Sequence, residues 1–367
     1  MSTRNEGAMR VLSIDGGGMF GVMSAVYLRE IERALVERHG AGIRLRDFFE
    51  IVAGTSTGSI LATAVSSGMA IDRIISLYED RGTEIFRRKP LGLSRWGWYI
   101  QGSRYSGDGL GRVLREELVS EDGQPLRMGT LGDGPLTLIT AYDVLTHESV
   151  VFKSTYAHLA DVELWQLVKA SCSAPTFFPP HVMKIALASS ASGDAGSARL
   201  PDPITPRDKV VPQERALVDG GVFANNPAMF AAAEALRLRR ADESGAVCDT
   251  SGFVLASIGN IRGSEGKATA DSVRRWGALQ WANRLHRVFM DGAEAASQYV
   301  SRHMIGGDRV TRFEHEGIPG AKLEMDRADP AWVRELIALA TAYIGSPERR
   351  DAVRHLAEQL GSPRTRS

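Results

Sequence analysis

Hydrophobic and polar positions repeat one pattern twice near the start of the chain. Met9 to Ile14 is a short, apolar, β-branched run typical of a buried strand, and a glycine-rich turn follows at Asp15 to Gly21. Apolar residues then recur at helical spacing over Val22 to His39. The same order returns as a predicted strand at Phe48 to Ala53, a turn at Gly54 to Gly58 and a helix from about Ser59 to Ser67. This repetition predicts an α/β fold with a mostly parallel central sheet flanked by helices, and it places both turns beyond the carboxyl ends of the strands.

The remaining segments continue this fold class without a convincing boundary between domains. Strands are predicted at Leu136 to Ala141, Ser149 to Phe152, Ala216 to Val218 and Gly252 to Ile258. Helices are predicted at Asp161 to Ala174, after Asn226 and Pro227, from Asp271 to about Met304, at Pro330 to Ile344 and at Pro347 to Leu360. Pro90 to Gly109 is irregular, and Ala188 to Gln213 has the composition of a surface insertion. We expect one domain over residues 1–367, with a core at about 9–343 and a helical extension at about 344–367.

Composition excludes several classes of protein. The 44 basic and 44 acidic residues balance, so no net field favours a nucleic acid polymer as partner. Ile51 to Ile71 is uncharged and long enough to span a membrane, but its glycines and hydroxyl residues favour a buried strand, turn and helix. The polar N-terminus does not have the pattern of a secretory signal. Cys172 and Cys248 predict free buried thiols in a reducing compartment, and we expect a cytoplasmic protein.

The strongest chemical signal is Gly54-Thr55-Ser56-Thr57-Gly58, which places a serine between a predicted strand and a predicted helix. A serine nucleophile suits a sharp strand-to-helix turn, because such a turn exposes the hydroxyl and needs small neighbours. An ordinary turn in a chain rich in Gly and Ser gives the same five residues. The motif by itself therefore leaves both interpretations open.

A second signal is the turn Asp15-Gly16-Gly17-Gly18-Met19-Phe20-Gly21. Consecutive glycines after a strand let backbone N–H groups converge on one point, where they can bind an oxyanion or a phosphate. The spacing also matches a dinucleotide fingerprint, which expects an acid at the end of the second strand. That strand ends at Gly54 and Ser56 instead, so the nucleotide interpretation is disfavoured.

A third signal is Val218-Asp219-Gly220-Gly221, followed closely by Asn225-Asn226-Pro227. An acid at the end of a strand can project into a site at the rim of a sheet. An aspartate that caps backbone N–H groups in a turn gives the same pattern.

In this order the three motifs closely resemble the patatin-like phospholipase family, which combines a D-G-G-G-x-[RK]-G loop, a G-x-S-x-G elbow and a D-G-[GA] acid. Lys169 to Pro175, Phe177 to Pro180 and Ser257 to Asn260 are also similar to stretches of that family. The resemblance covers roughly Met9 to Tyr343. Phe20 departs from it, because the family usually has a basic residue there.

The resemblance implies a patatin-like three-layer fold and a phospholipase A-type lipid acyl hydrolase with a Ser–Asp dyad and no catalytic histidine. Ser56 is then the nucleophile and Asp219 the base. The oxyanion hole comes from Gly16, Gly17 and Gly18, and the motifs are supported by Asp15, Gly21, Gly54, Gly58, Gly220 and Gly221. The histidines after Asp219 are expected at the surface or in packing positions: His286, His303, His315 and His355. No cysteine, histidine or acid cluster has zinc spacing, so no metal or cofactor is expected.

The expected substrate is membrane phospholipid, reached by peripheral contact with the bilayer. Some bacterial members of the family are similar and attack membranes after a cyclic nucleotide signal, so an activated effector of antiphage defence is one alternative. A non-catalytic lipid-binding module is another, and a homo-oligomer stays open. Trp96, Trp98 and Tyr99 suit either a lipid interface or core packing. Apolar positions of the helix from Asp271 are expected to face the core, with a partner surface as the alternative: Trp276, Leu279, Leu285, Val288 and Phe289.

Overall fold

The computed structural model describes residues 9–87, 102–187, 212–242, 250, 252–262, 270–318 and 323–364, except for the side chains of residues 240–242, 278–280 and 282–287. Its strands are β1 (Met9–Ile14), β2 (Ile51–Thr55), β3 (Leu136–Asp143), β4 (Glu148–Lys153), β5 (His181–Ile185), β6 (Gln213–Asp219), β7 (Phe253–Ile261) and β8 (Val310–His315). Trp96, Trp98, Tyr99 and Cys248 lie outside the described residues, as does most of the predicted insertion.

The strands form one sheet in the order β5-β6-β3-β2-β1-β7-β8, with β4 paired to β3. From β3 to β8 along this order the neighbouring strands run parallel. The pairs β3–β4, β3–β6 and β5–β6 are antiparallel. The predicted α/β class with a mostly parallel sheet is confirmed, and an antiparallel edge adds to it.

Helices cover both faces of the sheet. They are α1 (Gly21–His39), α2 (Thr57–Ser67), α3 (Ile71–Ile85), α4 (Asp108–Glu117), α5 (Leu164–Cys172), α6 (Gly221–Ala224), α7 (Ala228–Asp242), α8 (Ala270–Val273), α9 (Ala278–Ile305), α10 (Pro330–Ile344) and α11 (Pro347–Leu360). The larger apolar core lies between the sheet and the helices α1, α2, α3 and α10. A smaller one joins α7 and the end of α9 to the opposite face. None of the described helices is both long and apolar enough to cross a bilayer.

Several predicted boundaries were wrong. The strand predicted from Phe48 begins only at Ile51. A 3₁₀ turn over Leu45–Asp47 precedes it, and Phe48 and Phe49 are buried in the core before the strand begins. The helix predicted from Asp161 begins at Leu164, after another 3₁₀ turn. No element was predicted at α3 or β5, and α4 begins inside a segment predicted to be irregular.

The helix predicted from Asp271 to about Met304 is interrupted. It forms the short helix α8 and the long helix α9, and the break between them includes Gly277. Its predicted orientation was also wrong for two positions, because Val288 and Phe289 are 50% and 61% exposed.

Candidate active site

Ser56 is the single residue between β2 and α2. Its backbone has φ 53° and ψ −127°, a conformation that residues other than glycine rarely adopt. Such a conformation costs about 1–3 kcal/mol, which the surrounding structure must offset. The neighbouring glycines explain how the turn fits. A Cβ at Gly54 would lie 2.2 Å from the carbonyl oxygen of Gly58, and one at Gly58 would lie 2.2 Å from that of Ile14. Both positions therefore require glycine for the strand and helix to approach so closely.

Strand β3 brings Asp219 to this turn. Its Thr140 pairs with Thr55 of β2, and its next residue, Ala141, pairs with Asp219 of β6. Because β4 occupies the opposite edge of β3, β2 and β6 share one edge, and the end of β6 meets the end of β2. The hydroxyls of Thr55 and Thr140 hydrogen-bond at 2.7 Å across this junction. Asp219 is thereby placed one residue beyond Thr55 along the sheet, beside Ser56.

Asp219 is 4% exposed, and the Gly221 N–H donates to its Oδ1 at 2.7 Å. The Ser56 hydroxyl is close enough to the carboxylate to lower its pKa. Burial nevertheless raises the pKa of Asp219 to about 6, although the Ser56 hydroxyl and the Gly221 N–H act in the opposite direction. A carboxylate with this pKa is ionised at neutral pH and is basic enough to accept a proton from a serine hydroxyl as bond formation proceeds.

The glycine-rich loop lies against the same serine. A Cβ at Gly16 would lie 3.1 Å from the Cβ of Ser56. The Gly16 N–H donates to the Asn225 carbonyl at 3.0 Å, so it is already engaged. Within the described part of the chain, no group accepts a hydrogen bond from the N–H of Gly17 or Gly18. Of the three predicted oxyanion donors, these two remain available.

Distant segments fix the shape of this loop. The Asn260 Nδ2 group, at the end of β7, donates to the Gly16 carbonyl at 3.0 Å. A Cβ at Gly17 would lie 2.4 Å from the same amide nitrogen. Gly18 adopts φ 59°, and a Cβ there would lie 2.4 Å from the Met325 carbonyl oxygen. The glycines thus allow side-chain and backbone groups to hold the loop from behind.

Asp15, directly before the loop, belongs to a buried ionic cluster that the sequence analysis did not identify. One Arg312 Nη donates to Asp15 at 2.6 Å, Glu294 at 3.2 Å and Glu314 at 2.8 Å. The other Nη donates to Ser257 at 2.8 Å. We call Asp15, Glu294, Arg312 and Glu314 the Arg312 cluster. The only sequence signal for it was an arginine inside a strand of mixed polarity, which does not reveal its partners.

The Arg312 cluster contains more acid than base. Burial raises the pKa of Asp15 to about 6, despite the favourable charge of Arg312. Burial and then the charge of Asp15 raise the pKa of Glu294 to about 7. Among the described residues, these carboxylates with Glu314 are the acids close enough together to hold a metal ion. The Arg312 guanidinium bonds to all three, so a metal ion there would have to displace it.

The other residues singled out in the sequence contribute to packing and backbone hydrogen bonding around the site. The Gly21 and Gly220 positions adjoin Tyr78 and Thr140, whose side-chain oxygens would lie 2.5 Å and 2.2 Å from an added Cβ. Phe20 is buried in the larger core, so no basic side chain extends from that position. Asn226 Oδ1 accepts from the Ala228 N–H at 2.9 Å, at the start of α7.

Helix α5 supports the elbow from the other side. The Ser171 hydroxyl accepts from the Ser56 N–H at 2.8 Å, and the Asp219 N–H donates to the Ser173 carbonyl at 3.1 Å. Cys172 is free and buried, as predicted. Burial, together with the charge of Asp219, raises the pKa of its thiol.

No histidine side chain in the described ranges hydrogen-bonds to Ser56 or Asp219. His303 contacts the Tyr299 carbonyl at 2.8 Å, and His315 accepts from the Gly317 N–H at 3.1 Å. The side chain of His286 lies outside the described residues. Among the described side chains, Ser56 therefore lies beside Asp219 and has no histidine partner.

Matches among solved structures include two of low structural similarity. VipD from Legionella pneumophila has a TM-score of 0.36 and 14% identity, with 92% of this chain and 67% of that chain covered. ExoU in its complex with SpcU, from the type III secretion system of Pseudomonas aeruginosa, has a TM-score of 0.36 and 13% identity. The match covers 97% of this chain and 52% of the ExoU chain.

Sequence comparison finds curated relatives over nearly the whole chain. Patatin-15 of Solanum tuberosum is 27% identical over 382 aligned residues, covering 97% of this chain and 88% of its own length. Patatin-2-Kuras 4 of the same plant is 27% identical over 375 residues, covering 95% and 90%. A sequence model of the patatin-like phospholipase family matches residues 12–232, which is more than half of the chain, and the protein belongs to that family.

Proposed function

We propose that this protein hydrolyses fatty-acyl ester bonds of membrane phospholipids through a Ser56–Asp219 dyad. Family membership supports lipid acyl hydrolase activity. The observation that carries the finer proposal is the placement of Ser56, on a strained turn, beside the buried carboxylate of Asp219 and beside two loop N–H groups that no described residue accepts from. Nucleophile, base and oxyanion donors are thus within one small site.

In the proposed first step, the Ser56 oxygen attacks the ester carbonyl carbon and its proton passes to Asp219. The carbonyl oxygen becomes an oxyanion, which the N–H groups of Gly17 and Gly18 stabilise. One such donor is typically worth about 3 kcal/mol of the barrier. The tetrahedral intermediate collapses with loss of the alcohol, which takes the proton from Asp219.

In the second step, water attacks the acyl-enzyme carbonyl while Asp219 accepts one of its protons. Collapse of this second intermediate releases the fatty acid and returns the proton to Ser56. Asp219 acts as base and then as acid in each half, which a pKa near 6 permits at neutral pH.

The test is fatty-acid release from mixed phospholipid vesicles by the wild type, Ser56→Ala and Asp219→Asn. Both variants should lose roughly three orders of magnitude or more in rate, because dyad members act as a unit. Ser67→Ala is the matched control, since this serine lies at the far end of the same helix and its hydroxyl donates to the Ala64 carbonyl. Each protein is measured with and without a panel of cyclic nucleotides.

Release by the wild type and by Ser67→Ala, lost in both dyad variants, supports the proposal. If release appears only with one nucleotide, the protein is a switched effector that uses the same dyad. Equal release by the wild type and Ser56→Ala would overturn the assignment of the nucleophile.

A further inference from the structure

Helix α9 has its polar side buried and an apolar side exposed. Ser297 and Ser301 are 3% and 2% exposed, and the neighbouring Glu294 bonds to Arg312. Four large apolar side chains of the helix face solvent instead: Trp281 at 41%, Val288 at 50%, Phe289 at 61% and Tyr299 at 64%. We call these four residues the α9 apolar face. Soluble proteins rarely expose several large apolar side chains along one helix without a partner for them.

The helical repeat brings the members of this face together. Val288 follows Trp281 by seven residues and Tyr299 follows Val288 by eleven, intervals that return to the same side of a helix with 3.6 residues per turn. Trp276, just before the helix, stacks edge-on against Trp281 with ring centroids 5.3 Å apart. Gly292 lies between Phe289 and Tyr299 along the chain, and a Cβ there would meet nothing within 4 Å. The members of this face that the structure describes therefore lie along one exposed side of the helix.

The sequence of this part of the chain contains more basic than acidic residues. Between Arg274 and His303 it has five arginines and two acids, and one of the acids, Glu294, is paired with Arg312. Arg274, Arg275 and Arg302 are exposed. A 3.4 Å contact between Arg274 and Asp271 is fully accessible to solvent and thus weak. Basic residues beside Trp, Phe and Tyr are the composition of helices that lie in the interface of an anionic bilayer.

Helix α9 is anchored next to the catalytic acid. The Ser297 hydroxyl donates to the Asn226 carbonyl at 2.8 Å and accepts from the Met229 N–H at 3.1 Å. Helix α9 also packs on α6, which begins two residues after Asp219. Val222 on α6 is itself 41% exposed. The helix that would enter the lipid is thus held directly against the segment that follows Asp219.

We propose that the α9 apolar face and its arginines form the surface that docks this protein on an anionic lipid bilayer. This deepens the proposed function, because it names how the Ser56 site reaches its substrate. A second copy of the chain is the less favourable occupant, since two such faces would bring their arginines together. Anionic lipid headgroups instead neutralise them, while the acyl region accepts the aromatic and aliphatic side chains.

The test is co-sedimentation with phosphatidylcholine vesicles made with and without phosphatidylglycerol, in a Ser56→Ala background so that no lipid is consumed. Binding should require phosphatidylglycerol and should weaken as salt is raised. Replacing both Val288 and Phe289 by Ser should reduce binding about thirtyfold, from the apolar area no longer buried. Replacing Arg274 and Arg275 by Gln should reduce it about tenfold.

Val182→Ser is the matched control. This residue is 57% exposed on β5, which pairs with β6 and packs on α5, whereas α9 packs mainly on α6 and α7. It should bind vesicles as the parent does. With Ser56 intact, all surface variants should retain hydrolysis of a short soluble ester, which shows that they fold.

Unchanged vesicle binding by the Val288/Phe289 variant would overturn the docking proposal. If that variant instead changed from dimer to monomer in solution with vesicle binding unaltered, the face would be an interface between copies. Vesicle binding by a wild type that hydrolyses neither ester nor lipid would support docking and overturn the proposed function. The two proposals therefore fail separately.

Discussion

Replacing Arg312 by Met is expected to lower both stability and activity, because it removes the positive charge that holds Asp15 before the loop. The change keeps an unbranched apolar side chain but leaves the carboxylates of Asp15, Glu294 and Glu314 together without their cation. Arg312 and Asp15 are 11% and 2% exposed, so water replaces little of the lost interaction. Breaking such a buried pair on one side typically costs about 3–5 kcal/mol. Glu314 keeps its contact with Arg262, which favours the lower end of that range.

The loss should depend on pH. Burial holds the pKa of Asp15 at about 6 and that of Glu294 at about 7 with Arg312 present. Because both folded pKa values are raised, these acids favour the folded state at low pH and lose that contribution as pH rises through about 4 to 7. Without Arg312 the pKa values rise further. The variant should therefore be penalised more at pH 8, where the acids must ionise, than at pH 5, where they bind protons.

The measurement is urea unfolding of the wild type and Arg312→Met at both pH values, followed by tryptophan fluorescence. Arg354→Met is the control, because its pair with Asp351 is 73% and 66% exposed and should contribute about 1 kcal/mol or less. At pH 8 the folded Arg312→Met protein should also lose kcat on a soluble ester with KM retained. Equal losses of stability in the two variants, or a loss independent of pH, would refute the reasoning.

Three further predictions follow from the site. The value of kcat/KM should rise with pH around a midpoint of about 6, because Asp219 must be ionised to act as base; a flat profile from pH 5 to 8 would contradict this role. Gly58→Ala should destabilise by about 2–3 kcal/mol, since the new Cβ would lie 2.2 Å from a backbone carbonyl, whereas Gly292→Ala, with open space around it, should stabilise the helix by up to about 1 kcal/mol. Thermal or urea unfolding distinguishes these two variants. In a Cys248→Ser background, Cys172 should not react with a thiol reagent until the protein unfolds, because the thiol is buried and its pKa is raised. Rapid labelling of the native protein would contradict this prediction and show that the site is open to solvent.

Much of the nucleophile side of the site follows from local sequence. The two strand–turn–helix units are short in sequence, and parallel neighbours must place their carboxyl ends at one edge. The positions of Ser56 and of the loop Gly16 to Gly18 could therefore be predicted together. The glycines at 54 and 58 agree with the close approach that the elbow requires. The family resemblance supplied the role proposed for Asp219, which its local pattern left open.

Only the tertiary structure decided how Asp219 reaches Ser56 and what holds the loop. The acid arrives on an antiparallel strand whose register on β3 is set far along the chain, and Arg312 contacts Asp15 across a separation of 297 residues. Periodicity in the sequence correctly indicated that the α9 segment is amphipathic. It did not show which side would be buried, because a helical pattern records the spacing of apolar residues but not the partner they face. Strand pairing, long-range ionic contacts and the choice of buried face depend on which segments meet in the fold, and local sequence patterns do not encode that.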